Sequence, residues 1–288
     1  MRTLLQRTCS WSQGLAARHA LGLVCAVVCA SGIAPASVGG PASQASAQPF
    51  DFPPVLFSLN FEDGAPQVVV DAAESAIDYW AAQITGYAGY TPGDLPILFT
   101  VNFEFEVGDP LGVVAFASGG GPRTLVTGQR IPTNGSMTID STDIDFLADT
   151  FLLEPVIRHE LGHILGMDPQ WWGLNGHYTR GSGRYLGPEA IAAYQAEYDP
   201  TATFVPVQLV EPGPEAHWPE DSTLTDPFGR EFGHELMSPR INGTLHLSDT
   251  SLGALRDIGW HTVPTAVPEP ASMVVLTFLG SCVIRRRR

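Results

Sequence analysis

Residues 156–166 run Val156-Ile157-Arg158-His159-Glu160-Leu161-Gly162-His163-Ile164-Leu165-Gly166, and their spacing settles both a local structure and a chemistry. The apolar members recur at helical intervals, with Pro155 near the start and Gly166 as a stop. Residues four apart share one face of a helix, so His159 and His163 aim at one point with Glu160 beside them. In a chain of 288 residues with 8 histidines, roughly 0.01 matches to His-Glu-x-x-His arise by chance, so coincidence is a poor explanation. Two neutral imidazoles on one face suit a divalent cation, zinc above all, and the glutamate is placed to take a proton from a water on that cation.

Two histidines leave such a site incomplete, because catalytic zinc usually takes three protein donors and an open position. Gly166 extends the pattern to His-Glu-x-x-His-x-x-Gly, where a glycine lets the chain turn sharply off the helix. Three residues further on stands Pro169, which has no donor, and Asp168 is out of register and reads as a helix-end or turn residue. The third donor must come from later in the chain, among His177, His217, His234, His246 and His261.

Several later segments resemble the leishmanolysin family, which are metzincins with an insertion between the helix glycine and the third histidine. They are His217-Trp218, Glu235-Leu236-Met237-Ser238-Pro239, the run 185–194 and the run 252–260. The likeness covers residues 55–261, most closely from 155 onward. It implies zinc bound by His159, His163 and His217, Glu160 as general base, and Met237 in a turn beneath the metal. It also implies a zinc-dependent endopeptidase with a protein or peptide substrate; a monomer is expected. His234 is a rival third ligand because of the extra Pro- and acid-rich segment 219–231; the Trp partner favours His217. Two alternatives stand beside this: a gluzincin-like peptidase with Glu189 or Glu197 as third ligand, and a non-catalytic surface protein whose metal only staples the fold.

Weaker signals come from Asp140, Asp143 and Asp145, which could hold a structural Ca2+, although the spacing lacks a loop glycine and a distal glutamate and so favours a solvated turn. Trp171, Trp172 and Tyr178 are candidates for a cleft wall, but aromatics beside a buried helix are usually core. Tyr178 and Tyr185 are candidates to stabilise an oxyanion, with nothing to select between them.

All 15 basic residues are arginines, and seven lie in the terminal segments 1–47 and 265–288. The segment 48–264 carries 8 Arg against 29 Asp and Glu, an acidic balance that excludes nucleic acid as a partner. Without lysine there is no Schiff-base chemistry. Residues 1–47 read as a signal peptide: three arginines, an apolar run over 20–34 and the small-residue end Ala45-Ser46-Ala47. Residues 265–288 resemble a PEP-CTERM sorting tail, with Val267-Pro268-Glu269-Pro270, an apolar stretch over 271–284 and four closing arginines. The expected partners are then the export machinery and a PEP-CTERM processing enzyme. The expected location is exported, at the cell surface or beyond it, held for a time at the membrane by the tail. All four cysteines lie in those end segments, so the 48–264 segment has no disulfide to staple it.

Alternation predicts strands over 55–61, 97–107, 113–118 and 136–139, the last as an edge strand able to hold an extended peptide. Helical spacing predicts helices over 68–84, 146–166, 188–198 and 248–258, with Pro155 admitted in the second only as the first position of a fresh helix. Residues 119–122 read as a turn, and 171–187 and 199–233 as loop or irregular structure. Sheet first and helices later is an α+β order, with a metzincin-like upper subdomain at about 55–166 and a lower one at about 167–262. The upper part is expected to hold a twisted mixed sheet and the active-site helix, the lower part mostly loops and short helices.

Overall fold

A computed structural model describes residues 53–91, 94–108, 114–209, 215–240 and 245–263. The chain divides into units Met1–Ala47 and Gln48–Arg288, and every described residue belongs to the second. The signal-peptide and sorting-tail readings lie outside the described residues. No helix among the described residues is long and apolar enough to cross a membrane.

The architecture is α+β. The N-terminal half holds strands β1 (Val55–Phe61), β2 (Ile84–Tyr87), β3 (Ile97–Glu106), β4 (Ala115–Gly120), β5 (Arg123–Thr124), β6 (Arg130–Ile131) and β7 (Asn134–Asp140), with helix α1 (Gln67–Gln83) between β1 and β2. Helices α2 (Ile144–Asp149), α3 (Leu153–Ile164) and α4 (Pro169–Leu174) follow. The rest comprises β8 (Arg184–Tyr185), α5 (Pro188–Glu197), β9 (Val205–Pro206), a 3-10 turn at Phe232–His234, α6 (Asp249–Ile258) and β10 (Trp260–Thr262).

Four strands form one mixed sheet in the order β1-β3-β7-β4, with β1, β3 and β7 parallel and β4 antiparallel to β7. In β3 the side chains of Ile97, Phe99, Val101 and Phe103 are buried, while Leu98, Asn102 and Glu104 are exposed, so one face of the strand meets the core. Helix α1 presents a buried stripe of Val69, Ala73, Ala76 and Trp80, and the Trp80 indole N–H donates to the Arg158 carbonyl of α3 at 2.8 Å. Burying each large apolar side chain of this kind contributes roughly 1.5–3 kcal/mol.

The expected edge strand at 136–139 is corrected by this topology. Those residues belong to β7, which is paired on both sides by β3 and β4 and has no free backbone edge to offer. The outer strand next to α3 is β4, and glycines set how close the helix comes to the sheet: a Cβ on Gly119 of β4 would lie 2.5 Å from the Ile164 carbonyl oxygen, and one on Gly135 of β7 would lie 2.6 Å from the Ile164 side chain. The glycines expected in a turn at 119–122 are therefore partly strand, and the left-handed turn begins at Gly121, with φ of +60°.

The helical stretch predicted over 146–166 is two helices, divided at Phe151, whose φ is +59°. Pro155 occupies the third position of α3 rather than its first; the N–H groups of the first turn have no intrahelical partner, so its missing donor costs nothing there. Residues 171–187, expected as loop, contain α4 and β8. Asp168 caps α4 by accepting from the Gln170 N–H at 2.7 Å, and Pro169 begins that helix, so the residue in the third-ligand register is a helix start. Six residues are too few to show a helical period, which hid α4 from the sequence pattern.

Helices α5 and α6 clasp each other by exchanging caps. Glu197, at the end of α5, accepts from the N–H groups of Asp249 and Thr250 at the start of α6, at 2.8 and 2.9 Å. Asp257, near the end of α6, accepts from the N–H groups of Glu189 and Ala190 at the start of α5, at 2.9 and 3.1 Å. Strand β10 then returns to pair antiparallel with β2.

Candidate metal centre

The rise of α3 brings His159 and His163 onto one face, as expected, and both are buried, at 4 % and 5 % exposure. The helix ends in a Schellman turn: the Gly166 N–H donates to the His163 carbonyl and the Met167 N–H to the Gly162 carbonyl, both at 3.0 Å, with Gly166 at φ +113°. The motif's last glycine is thus required by conformation, and a Cβ there would in addition have to push aside the tip of the Ile258 side chain at 2.5 Å. This turn carries the Met167 carbonyl to His163 Nδ1, which donates to it at 2.6 Å.

His159 is oriented in the same manner from elsewhere in the chain, its Nδ1 donating to the Leu236 carbonyl at 2.6 Å. With both Nδ1 atoms acting as donors, the two Nε2 atoms are unprotonated. They face each other at 3.0 Å, and His217 Nε2 stands 3.1 Å from each. Bare nitrogens at this distance repel unless a cation lies between them, and tetrahedral ligands at about 2.0–2.1 Å from an ion stand about 3.3 Å apart. The donor set therefore fits a metal ion, and among the described residues it is the group of three whose ligand atoms converge.

Burial reinforces the ligand-ready state. It pushes His159 down to about 3, with the neighbouring His163 adding to the effect, and it lowers His163 as well, so both rings are neutral at neutral pH. Burial also pushes the Glu160 carboxyl up to about 8.

Met237 packs against the motif helix. A Cβ on Gly162 would lie 2.5 Å from Met237 Sδ, so the thioether packs directly against the motif helix at the residue before His163. The Met237 carbonyl accepts from the Trp218 N–H at 3.0 Å, and the His217 carbonyl accepts from the Gln208 N–H at 2.9 Å.

The other candidates are engaged elsewhere. His177 Nε2 meets the Asp257 carbonyl at 3.1 Å, His246 Nε2 accepts from the Tyr198 hydroxyl at 3.0 Å, and His234 and His261 are exposed. Glu189 pairs with Arg256 at 3.5 Å, and Glu197 caps α6, so the structure brings neither to the histidines. Tyr185 is fully buried, with its hydroxyl directed at Asp257 at 3.2 Å and the Ala254 carbonyl at 3.3 Å. Trp171 and Trp172 are core. Asp140 Oδ1 accepts from the Gly108 N–H and from the N–H and hydroxyl of Thr142, which makes it the centre of a turn.

The carbonyls of Leu236 and Met167 and the side chains of Glu235 and Ser251 were not singled out as site residues from the sequence. A carbonyl has no side-chain signature, and a buried Glu or Ser betrays itself in sequence only by interrupting an apolar run. A scan against protein-family models and a search of curated proteins return no match for the chain.

Proposed function

We propose that the protein is a zinc-dependent endopeptidase of the metzincin type, with the ligand order of the leishmanolysin family: His159, His163 and His217 on the metal and Glu160 as general base. The observation that carries this reading is the triangle of three Nε2 atoms 3.0–3.1 Å apart, with two of the rings locked by backbone carbonyls, one residue away from a buried carboxyl.

When bound there, zinc supplies a Lewis acid that polarises a carbonyl and acidifies water. Glu160 takes the proton of the attacking water and later returns it to the leaving amine, so no covalent enzyme intermediate forms. Its carboxyl, raised by burial, ionises more readily beside a cation, which brings it toward the range in which a base both accepts and releases a proton near neutral pH. The Leu236 and Met167 carbonyls keep His159 and His163 neutral and aimed. Strand β4, antiparallel to β7 and close against α3, offers its outer edge to an extended peptide by strand addition.

The test is Glu160→Ala in the full-length chain, with bound metal and hydrolysis of a peptide library measured together. The expected result is an unchanged metal content and hydrolysis lowered by at least about 100-fold. A wild-type chain that binds zinc and cleaves nothing would leave the metal as a structural staple only.

A further inference from the structure

His159 and His163 inherit their placement from one helix, whereas His217 lies in a stretch without regular secondary structure. A ligand on such a segment holds its ring in place only if the neighbouring backbone is tied down. The Gln208 N–H ties the His217 carbonyl at 2.9 Å, and the remaining ties meet at Trp218. Its backbone N–H donates to the Met237 carbonyl at 3.0 Å, and its indole N–H donates to Ser251 Oγ at 2.8 Å. The Ser251 hydroxyl donates in turn to Glu235 Oε1 at 2.6 Å. Glu235 also accepts from the Met237 N–H, closing a circuit that runs from Trp218 through Ser251, Glu235 and Met237 back to Trp218. The Trp172 ring stacks on the indole at 5.4 Å and 10°, which fixes the plane of the side chain.

Glu235 is fully buried, and it takes two more hydrogen bonds from the N–H and hydroxyl of Ser248. A buried carboxyl is expensive, and its cost is offset only when its acceptor sites are used. Here four donors use them, and two of the four lead to the residue after His217. We infer that Glu235, acting through Ser251 and Trp218, is a positioning residue that fixes His217 in the ligand set; the inference rests on the reading of the three histidines as a metal centre. The other two ligands are fixed on α3, and His163 also by the Met167 carbonyl, so loss of the Ser251 hydroxyl loosens the third ligand most, reaching His159 only through the Leu236 carbonyl beside Glu235.

The experiment titrates the purified full-length chain with Co2+, following visible absorption, with thermal unfolding recorded in parallel. It compares wild type with His217→Ala, Ser251→Ala, Glu235→Gln and, as a stability control at the far end of α6, Asp257→Asn. Ser251→Ala and Glu235→Gln are expected to lose about 10- to 100-fold in Co2+ affinity, with spectra moving toward that of His217→Ala. Asp257→Asn is expected to lower the melting temperature and leave affinity and spectrum alone. Wild-type affinity and spectrum in Ser251→Ala overturn the proposal; if that variant does not fold, wild-type affinity and spectrum in Glu235→Gln overturn it instead. Failure of both to fold makes the circuit a folding element and also overturns it. Failure of the underlying reading looks different: wild type takes up no Co2+, or His217→Ala binds it as well as wild type does.

Discussion

Phe151 shows what a single backbone angle costs in this protein. Its φ of +59° puts a bulky residue in the left-handed region, where its N–H donates to Ala148 at 3.1 Å and the following Leu152 N–H donates to Leu147 at 2.8 Å. Those two bonds are the Schellman closure of α2, a position that glycine normally fills. The side chain is 86 % exposed, so the ring gains little from burial to offset a conformational cost of about 1–2 kcal/mol. Phe151→Gly relieves the strain and gives part of it back as unfolded-state entropy, so a net gain of about 1 kcal/mol is expected, or about 2–4 °C in melting temperature. Urea unfolding of the two full-length chains checks it. A loss of stability would mean that the ring makes a stabilising contact despite its exposure.

At the scale of elements, the stretches with a period of their own were legible in the sequence. Helix α1 follows the apolar rhythm of Val69, Ala73, Ala76 and Trp80, and β3 follows strict alternation, so both were placed to within a residue or so. What escaped were elements whose partners lie far along the chain: β2 is a strand because β10 returns to it, and β8 because of β9. A half-buried histidine on an isolated bridge, His246 opposite Glu235, carries a pH signature. His246 accepts from the Tyr198 hydroxyl, and burial, helped by the Arg230 charge and by nearby His234, pushes its pKa down to about 4 against the pull of Asp226 and of a backbone hydrogen bond at His234. The folded protein thus binds fewer protons than the unfolded chain between pH 6.5 and about 4. Its contribution to stability is complete above pH 6.5 and is lost as the pH falls through that window. His246→Gln, which keeps an acceptor for Tyr198 but cannot take up the proton, is expected to flatten this part of the stability-versus-pH curve measured by urea unfolding. An unchanged slope would mean that the ring already carries its proton in the fold.

For the molecule as a whole, the two histidines of the motif could be read from spacing alone, whereas the third came from the His217-Trp218 pair and its resemblance, because 54 residues of chain separate His163 from His217 and no local period spans that distance. The clasp around Trp218 was illegible for the same reason: its members lie at 218, 235, 237 and 251 and meet only in the folded state. Charge is the one global property that the sequence states outright. The full chain carries −15, and five of its arginines are committed to ion pairs within the described residues: Arg158, Arg180, Arg230, Arg240 and Arg256. Two others lie over aromatic rings, Arg123 on Tyr87 and Arg184 on Phe204. With 30 acids against 15 arginines, half of the carboxylates have no cation of their own to pair with, so the compact state works against its own repulsion. Raising ionic strength shortens the screening length from about 30 Å at 0.01 M to about 3 Å at 1 M, which weakens that repulsion more than it weakens pairs in contact. The melting temperature of the metal-free chain is therefore expected to rise as NaCl goes from about 0.01 to about 1 M, as measured by calorimetry at neutral pH. A fall over the same range would show that the few arginine pairs outweigh the acidic excess in holding the fold.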